Sequence, residues 1–372
     1  MKIILAPDSF KDCLSSMEVC TILEDAAQQE FGDVEIHSFP MGDGGEGTLE
    51  AVLAASGGRR ETLLVRDPLG RPVETSYALL PNGEAFVEMA QASGLERLSK
   101  DERNPLLTST YGTGQLIAAA LDAGCRRITV GIGGSATTDG GAGMAVALGA
   151  RLVDANGREL DGRGGDLLKV VRIELDGLDP RLKECVFCVA SDVTNPLCGK
   201  HGAAAVFGPQ KGATPQMVAE LDTGLSHWAE LLVGGEKNAR EKGDGAAGGL
   251  GFGLRTLCGA TMSSGARLVA ELTGLPEAMD GADAVITGEG RTDEQTLCGK
   301  LPAVVASYAH SRGVRCILIS GALAGNVKAL RGVFDACFGC VSKVCSLEEA
   351  LRNARTSLSS VSASVFALLK KG

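Results

Sequence analysis

Short apolar runs alternate with amphipathic segments near both ends of the chain. Residues 2–6 predict a buried strand, and two capping-box sequences, Ser15 with Glu18 and Ser346 with Glu349, predict the starts of the first and last long helices. Two further apolar runs typical of strands lie nearer the C-terminus: Ala284–Thr287 and Arg315–Ser320. This alternation predicts one parallel α/β sheet to which both ends of the chain contribute.

The middle of the chain has a different pattern, with two hairpin signals. Asn82-Gly83 and Asn156-Gly157 each separate two short strand-like runs, and Asn-Gly is a strong signal for a tight hairpin turn. Between these signals, residues 110–124 predict a helix and Arg127–Gly131 predicts a strand. Antiparallel hairpins do not fit a simple parallel sheet, so the pattern predicts an inserted mixed α/β domain.

These patterns together predict an α/β protein of two domains. Residues 1–66 and 276–372 are expected to form a flavodoxin- or Rossmann-like domain with a parallel sheet, and residues 67–275 the inserted mixed domain with its hairpins. A length of 372 residues is sufficient for two domains of ordinary size. We expect the functional site in the interdomain cleft, where small-molecule sites are common.

Composition limits the partners and the location. A formal net charge of −10 argues against nucleic acid, which requires a basic face. No apolar run is long enough for a membrane span or a signal peptide, so we expect a cytoplasmic protein whose twelve cysteines stay reduced. The spacings Cys185/Cys188 and Cys337/Cys340 fall in strand-like segments, where residues three apart face opposite sides, so we expect no zinc there. The oligomeric state stays open, and a homo-oligomer is compatible with the sequence.

The loop GIGGSATTDGG, residues 131–141, is the first candidate site. It follows a predicted strand and precedes a helix, and glycine leaves amide N–H groups accessible to an anion. The candidate ligands of a phosphate or a substrate carboxylate are Gly131, Gly133, Gly134, Ser135, Thr137, Thr138 and Asp139. The alternative is a tight turn that only packs on the sheet.

The same loop also fits a dinucleotide-binding fingerprint. Gly131, Gly133 and Ala136 match GxGxxA after a strand, and Asp154 lies near the place of the acid that binds ribose. Two features weaken this interpretation: TTDGGAG interrupts the expected helix, and a hairpin rather than a crossover follows the next strand. An NAD-dependent dehydrogenase therefore stays an alternative, as does a sugar-acid binding protein without catalysis.

A second candidate segment contains Asp192 and Lys211. Asp192 follows a predicted strand, where a carboxylate can accept a proton from a substrate hydroxyl or hold Mg²⁺. Lys211, in GPQKGA, can neutralise phosphate charge. The alternatives are a turn or helix cap for Asp192 and an exposed lysine without a role for Lys211.

Three polar loops follow strands of the predicted parallel sheet. They carry Asp8, Ser9 and Lys11 after the first strand, Asp43 and Glu46 after the second, and Glu289, Arg291, Asp293 and Lys300 after Ala284–Thr287. Parallel neighbours place such loops at one edge of the sheet, and mixed acids and cations suit a phosphate with a metal. We assign anion neutralisation to Lys11 and Arg291, phosphate or substrate binding to Asp8, Ser9 and Lys300, and Mg²⁺ binding to Asp43, Glu289 and Asp293.

Several longer sequence blocks resemble the bacterial glycerate kinase family of the glycerate 2-kinase type. No Walker A or protein-kinase catalytic-loop sequence occurs, and the residues alone indicate only a phosphate-handling α/β enzyme. The blocks that carry the resemblance are APDSFKDCLSS, PMGDGGEGT, DPLGRP, EMAQASGL, NPLLTSTYGTG, GIGGSATTDGGAG, SDVTNPLCG, GAAAVFGPQKGA, GAAGGLGFGL and ADAVITGEGRTDEQTLCGK.

The resemblance implies ATP-dependent, Mg²⁺-dependent phosphorylation of D-glycerate, with 2-phosphoglycerate as the product. It also implies two α/β domains, one of them flavodoxin-like and built from both chain ends. His201 stands where the family often has Asn, and GARLV stands where it often has a GIELV-like segment. With phosphoryl transfer as the reaction, Asp192 is the candidate base, beside Lys11 and Arg291 as catalytic cations.

Overall fold

The computed structural model describes residues 1–42, 44–235, 239–294, 296–324 and 326–371. The strands are β1 (Lys2–Leu5), β2 (Glu35–Ser38), β3 (Arg59–Arg66), β4 (Pro72–Leu79), β5 (Ala85–Glu88), β6 (Arg127–Gly131), β7 (Arg151–Asp154), β8 (Val170–Glu174), β9 (Val186–Ala190), β10 (Thr261–Ser263), β11 (Ala284–Thr287), β12 (Arg291–Thr292), β13 (Arg315–Ser320), β14 (Ala322–Leu323) and β15 (Ala336–Gly339). The helices are α1 (Ser16–Phe31), α2 (Thr48–Ser56), α3 (Ala90–Ser93), α4 (Tyr111–Asp122), α5 (Ala142–Ala147), α6 (Ala203–Phe207), α7 (Pro215–Val233), α8 (Leu250–Cys258), α9 (Gly265–Leu272), α10 (Leu275–Ala278), α11 (Leu301–Ser311), α12 (Val327–Leu330), α13 (Leu347–Arg352) and α14 (Ala354–Lys371).

Two compact units divide the chain. The first comprises Met1–Asp43, Glu50–Gly57 and Ala266–Gly372, and the second comprises Gly44–Leu49 and Gly58–Gly265. Strand β3 pairs with β4 in the second unit, although the sequence-based limit at residue 66 placed it in the first domain. The predicted limits of the domains otherwise stay a prediction.

A wholly parallel sheet forms the centre of the first unit, in the order β15-β13-β11-β1-β2. Counted along the chain, this is the 2-1-3-4-5 order of flavodoxin-like sheets. Helices α1 and α14 pack on one face through an apolar core that includes Leu23, Ile286 and Phe366. The order reverses between β1 and β11, and the carboxyl ends at such a reversal are where ligands bind in open α/β sheets.

Helix starts in this unit follow the capping signals to different degrees. At α1 both hydrogen bonds of the box form between Ser15 and Glu18, as the sequence predicts. Near the C-terminus, Ser346 accepts from the Glu349 N–H, but the Glu349 carboxylate pairs with Lys343 instead of closing the box. That cap opens only the short α13, and the long α14 starts separately after Asn353. The prediction of one long final helix from residue 346 was therefore wrong.

A mixed sheet forms the centre of the second unit, in the order β10-β9-β6-β5-β4-β3. Strands β10, β9, β6 and β5 are parallel, and the Asn82-Gly83 turn joins β5 to the antiparallel β4, as predicted. The last residues of the four parallel strands stand in one row across the sheet: Glu88, Gly131, Ala190 and Ser263. Polar loops that follow this row therefore start side by side.

Within the part of the chain that the structure describes, no helix combines the length and apolarity that a bilayer-spanning segment needs.

Candidate active site

The loops after β1 and β11 contact each other at the switch point of the five-stranded sheet. The Asp8 N–H donates to the Gly288 carbonyl (2.8 Å), and the Thr287 hydroxyl donates to the Ala6 carbonyl (2.8 Å). The Asp8 carboxylate accepts from the Ser9 N–H (2.7 Å), which turns the chain at the strand end. The structure therefore brings the predicted residues Asp8 and Ser9 beside the loop that carries Glu289.

Glu289 is buried and organises its own loop. Its Oε1 accepts hydrogen bonds from the Thr292 hydroxyl (3.0 Å) and the Thr296 hydroxyl (2.6 Å), and its backbone carbonyl accepts one from Ser320 (3.1 Å). The preceding residue, Gly288, has no space for a side chain, since an added Cβ would lie 1.9 Å from the Ile319 carbonyl oxygen. A carboxylate fixed in this way is pre-oriented, so a cation would meet it without much loss of side-chain freedom.

The other predicted residues of this edge are more exposed. Arg291 is largely exposed, with Nε 3.9 Å from the Asp293 carboxylate, and Lys11 is also exposed. Lys300 is half-buried at the N-cap of α11, where its side chain makes no capping hydrogen bond. Asp43, the third predicted metal ligand, lies outside the described residues.

In the second unit, the segment Gly44–Leu49 begins with a loop that packs against the ends of β6 and β9. The Gly133 N–H donates to the Gly44 carbonyl (3.1 Å), and a Cβ at Gly133 would lie 2.5 Å from the Gly45 Cα. Gly131 pairs in the ladder between Glu88 and Ala190. The expectation that the Gly133 N–H is open to an anion was therefore wrong, because this group is used in packing backbone on backbone.

The later part of the glycine loop contains polar groups that have no protein partner among the described residues. Gly134 has φ +73°, and a Cβ there would meet only the Ala90 side chain, at 3.6 Å. Among the described residues, the amide N–H groups of Gly134 and Ser135 donate to no protein atom. The hydroxyls of Thr137 and Thr138 are buried and find no partner in the same part of the chain. Buried polar groups are nearly always hydrogen-bonded, so the hydroxyls of Thr137 and Thr138 are expected to pair with a group other than the described protein atoms.

Asp139 is an internal anchor of the loop. It is wholly buried, and its carboxylate accepts hydrogen bonds from the Thr110 N–H (2.7 Å), the Thr110 hydroxyl (2.8 Å) and the N–H groups of Gly141 and Gly143 (3.2 Å each). Burial raises the pKa of this carboxyl, while these hydrogen bonds oppose the rise. Because Thr110 caps α4 and Gly141 caps α5, Asp139 joins two helix starts and does not face a ligand directly.

Lys211 is buried, so the alternative of an exposed lysine without a role is wrong. Its Nζ donates to the Ser135 hydroxyl oxygen and to the Thr137 carbonyl, both at 2.6 Å. Burial lowers the pKa of Lys211 to about 7, and the negative charge of Asp139 opposes this change. The lysine therefore acts from inside the loop through Ser135 and Thr137.

Asp192 lies two residues beyond the end of β9, as predicted, and it is exposed. The neighbouring Ser191 N–H donates to the Ser263 carbonyl (3.0 Å), which continues the pairing of β9 with β10. The Ser191 hydroxyl accepts from the Val193 N–H (3.3 Å). Asp192 thus projects from a short turn that is tied down on both sides.

Sequence reasoning missed Glu88, a buried carboxylate at the end of β5. Glu88 accepts from the Leu49 N–H (2.8 Å) and the Gln91 amide (3.1 Å). The nearby Glu46 hydrogen-bonds Glu96, which together with partial burial and the negative charges of Glu96 and Glu88 raises the pKa of Glu46 to about 7. The available signal was the EMAQASGL block, which begins with Glu88 itself at the end of the strand.

The dinucleotide fingerprint does not describe this site. Asp154 accepts from the N–H groups of Asn156 (2.8 Å) and Arg158 (2.9 Å), so its carboxylate closes the hairpin turn. Strand β7 pairs antiparallel with β8 in a separate two-stranded sheet. The acidic residue that binds ribose in a dinucleotide site stands at the end of a parallel strand. Asp154 does not, so the dehydrogenase alternative lacks the acidic residue of its fingerprint.

No three His, Cys, Asp or Glu side chains cluster as a metal cage among the described residues. Mg²⁺ in phosphoryl-transfer enzymes is usually held by one or two carboxylates together with substrate phosphates, so an all-protein cage is not required.

Comparison with known proteins places the chain in one family. The model of the glycerate kinase family matches residues 3–370. Glycerate 2-kinase of Escherichia coli K12 is 45% identical, over 100% of this chain and 99% of its own, and glycerate kinase of Bacillus subtilis 168 is 45% identical over 95% and 94%. A crystal structure of a glycerate kinase 2 from Salmonella typhimurium LT2 superimposes with a TM-score of 0.86 at 45% identity, covering 100% of this chain and 99% of that one. A match over the full length in sequence and in fold shows that the chain belongs to the glycerate kinase family.

Proposed function

We propose that the protein transfers the γ-phosphoryl group of ATP to the 2-hydroxyl of D-glycerate, giving 2-phosphoglycerate and ADP. The observation that carries this proposal is the 45% identity to a glycerate 2-kinase over the whole chain. The candidate glycine loop supports it, because a kinase without a Walker A sequence needs another backbone cradle for phosphate.

The glycine loop fits an anionic group of ATP or glycerate. The amide N–H groups of Gly134 and Ser135 are two hydrogen-bond donors without protein acceptors among the described residues, and the hydroxyls of Thr137 and Thr138, although fully buried, also lack acceptors there. Lys211 adds a cation immediately behind Ser135. Backbone amides at positive φ with a nearby cation form the kind of concave site that binds phosphate or carboxylate.

Mg²⁺ would be held in the first unit by Glu289 and Asp293. The carboxylate of Glu289 is fixed by Thr292 and Thr296, which suits a ligand that must stay in place. When bound, the metal would supply positive charge that offsets the charge developing on the phosphate oxygens. Lys11 and Arg291 would add cations at the same sheet edge, where both side chains are exposed enough to move toward a phosphate.

Asp192 would orient the substrate hydroxyl and accept its proton. Asp192 is exposed, and a carboxylate can accept a hydrogen bond from an alcohol and take up its proton. The turn that holds it is tied to Ser263 and Val193, so its backbone position is defined. Phosphoryl transfer needs mainly positioning and charge stabilisation, and this role for Asp192 is of that kind.

The test is a coupled assay of ADP release with ATP, Mg²⁺ and D-glycerate. Release that depends on both glycerate and Mg²⁺ supports the proposal, and folded protein without such release contradicts it. Enolase added without phosphoglycerate mutase then decides the position of the phosphate. Direct formation of phosphoenolpyruvate assigns the 2-hydroxyl, whereas a requirement for the mutase assigns the 3-hydroxyl.

A further inference from the structure

Lys211 is one of the largest fully buried side chains of the protein, and it lies against the glycine loop. It ends the 3₁₀ turn Pro209–Lys211 and is 2% exposed. Its hydrogen bonds to the Ser135 hydroxyl oxygen and the Thr137 carbonyl are both 2.6 Å long. An ammonium group has three donors and no acceptor, so Ser135 must accept from Lys211 whenever the lysine is charged.

This arrangement fixes the direction of the Ser135 hydroxyl proton. Since the Ser135 oxygen accepts from Lys211, its own O–H is left to donate elsewhere. Ser135 is 8% exposed and lies next to Gly134, which is exposed and whose added Cβ would meet only the Ala90 side chain. The Thr137 carbonyl is also occupied by Lys211, so this loop presents donors and few acceptors to whatever approaches it.

Few compensating charges face the buried amine among the described residues. Asp139, on the same loop, is the carboxylate that interacts with it, and that carboxylate already accepts four hydrogen bonds. From the other side, the Arg103 carbonyl packs on Gly212, and the buried Arg103 Nε has no partner in the part of the chain that the structure describes. Burial lowers the pKa of Lys211 to about 7, so a nearby anion would favour the charged form.

We propose that Lys211 is a positioning residue of the proposed kinase site: it orients the Ser135 hydroxyl as a donor to the anionic ligand of the glycine loop, and that ligand binds together with one proton on Lys211. The inference rests on the proposed function only for the choice of ligand, an ATP phosphate or a glycerate carboxylate. Linkage requires that an anion which binds the charged form better also makes Lys211 harder to deprotonate.

Titration calorimetry of the wild-type protein tests the proton first. The two probes are the β,γ-imido analogue of ATP with Mg²⁺ and D-glycerate alone, each in two buffers of different ionisation enthalpy between pH 6 and 9. One probe should take up a proton above pH 7, and its Kd should rise by up to about tenfold per pH unit there. The absence of proton uptake with both probes overturns the inference.

Two variants and a control then test the residue. Lys211→Met should remove the proton uptake, flatten the pH profile of that probe and raise its Kd at pH 6.5 by roughly tenfold or more. Ser135→Ala should also raise that Kd, because it removes the proposed donor hydroxyl and keeps the buried lysine. This variant tests the inference even if Lys211→Met does not fold. Lys183→Met is the control, because Lys183 is exposed and precedes the opposite, amino end of β9.

A folded Lys211→Met or Ser135→Ala protein that binds both probes with the wild-type Kd and pH profile overturns the inference. This failure is distinct from failure of the proposed function. An enzyme that releases ADP with glycerate but binds without proton uptake refutes only the role of Lys211. Proton-linked binding of the nucleotide analogue without glycerate-dependent ADP release refutes only the proposed reaction.

Discussion

Gly133 and Gly134 are adjacent, yet the structure predicts opposite responses to one added methyl group. At Gly133 the new Cβ would lie 2.5 Å from the Gly45 Cα and 3.0 Å from the Gly45 nitrogen, and both atoms are backbone. At Gly134 the nearest atom is the Ala90 Cβ at 3.6 Å, an ordinary contact, but φ is +73°. Alanine therefore meets a steric obstacle at the first position and only backbone strain at the second.

The sizes of the two effects differ. Separating Gly133 from the Gly44–Gly45 backbone is an overpacking cost of about 1–3 kcal/mol, and it also lengthens the hydrogen bond from Gly133 to Gly44, which is worth about 1 kcal/mol. The left-handed conformation at Gly134 costs alanine about 1–2 kcal/mol. At about 2–4 °C per kcal/mol for a unit of this size, Gly133→Ala should lower the Tm by roughly 4–16 °C and Gly134→Ala by roughly 2–8 °C.

Calorimetric melting of both variants measures this, with Gly157→Ala as the matched control. Gly157 has φ +78°, and a Cβ added there would meet no atom within 4 Å, so this variant reports strain alone, away from the loop. Gly134→Ala should melt close to this control but bind an anionic ligand of the loop more weakly. Gly133→Ala should melt lowest of the three, because only there does the methyl group meet backbone.

A Gly133→Ala protein that melts within about 2 °C of wild type would refute this reasoning, because the two loops would then separate freely. Equal losses at Gly133 and Gly157 would also contradict it, since steric overlap would then add nothing to strain. If Gly134→Ala loses stability like the control and binds both substrates normally, the loop is a packed turn and not an anion site.

Three further predictions concern single charged groups. Asp192→Asn should lower kcat by roughly 10²–10⁴-fold and leave the Tm unchanged. The control Asp176→Asn, at another exposed aspartate, should change neither quantity. A kcat of Asp192→Asn within a few-fold of wild type would show that Asp192 has no catalytic role. Glu289→Gln should raise the Mg²⁺ concentration for half-maximal rate by about tenfold or more, and an unchanged Mg²⁺ dependence would exclude Glu289 as a ligand. The pKa of Lys211 is lower in the folded protein than in the unfolded chain, so the unfolded chain binds more protons between pH 7 and pH 10. The stability of the wild-type protein should therefore rise with pH in this range relative to Lys211→Met, by at most about tenfold in the folding constant per pH unit. Urea unfolding at several pH values measures this, and the same pH dependence in both proteins would contradict it.

The sequence predicts the elements well where local signals agree with packing. Three strands occur with the predicted limits: Arg127–Gly131, Ala284–Thr287 and Arg315–Ser320. Short apolar runs with β-branched residues between turns favour the strand conformation, which makes such strands readable from sequence. The long final helix was mispredicted because the helix that begins after Ser346 ends at Arg352, and α14 begins separately after Asn353. A capping signal marks where a helix begins and not where it ends, so the motif itself could not show this break.

The candidate site is less predictable from sequence, since residue type does not show whether a polar group binds its own loop or faces a ligand. Lys211 has the sequence context of a surface cation in a Pro-Gly-containing turn, yet the fold buries it against Ser135. Asp139 was a candidate ligand in a polar loop, yet four donors from its own surroundings occupy it. Glu88 was overlooked because its strand is otherwise apolar, and only the sheet register places it in the row with Gly131 and Ala190.

Glycine at the two candidate sites has two uses that sequence alone does not separate. A Cβ at Gly248 would lie 1.9 Å from the Thr137 carbonyl oxygen, and one at Gly288 would lie 1.9 Å from the Ile319 carbonyl oxygen, so both positions allow one backbone to pack on another. At Gly134 the space beside the Cα is open instead, and the neighbouring amides lack protein acceptors among the described residues. The first kind of glycine holds the loop in shape, and the second leaves it accessible. Because Gly248 packs directly on the Thr137 backbone, a substitution at Gly248 would displace the loop there although Gly248 is not one of the proposed ligand-binding groups. Weaker ligand binding after a glycine mutation therefore identifies a contact only when the Tm shows that the packing has survived.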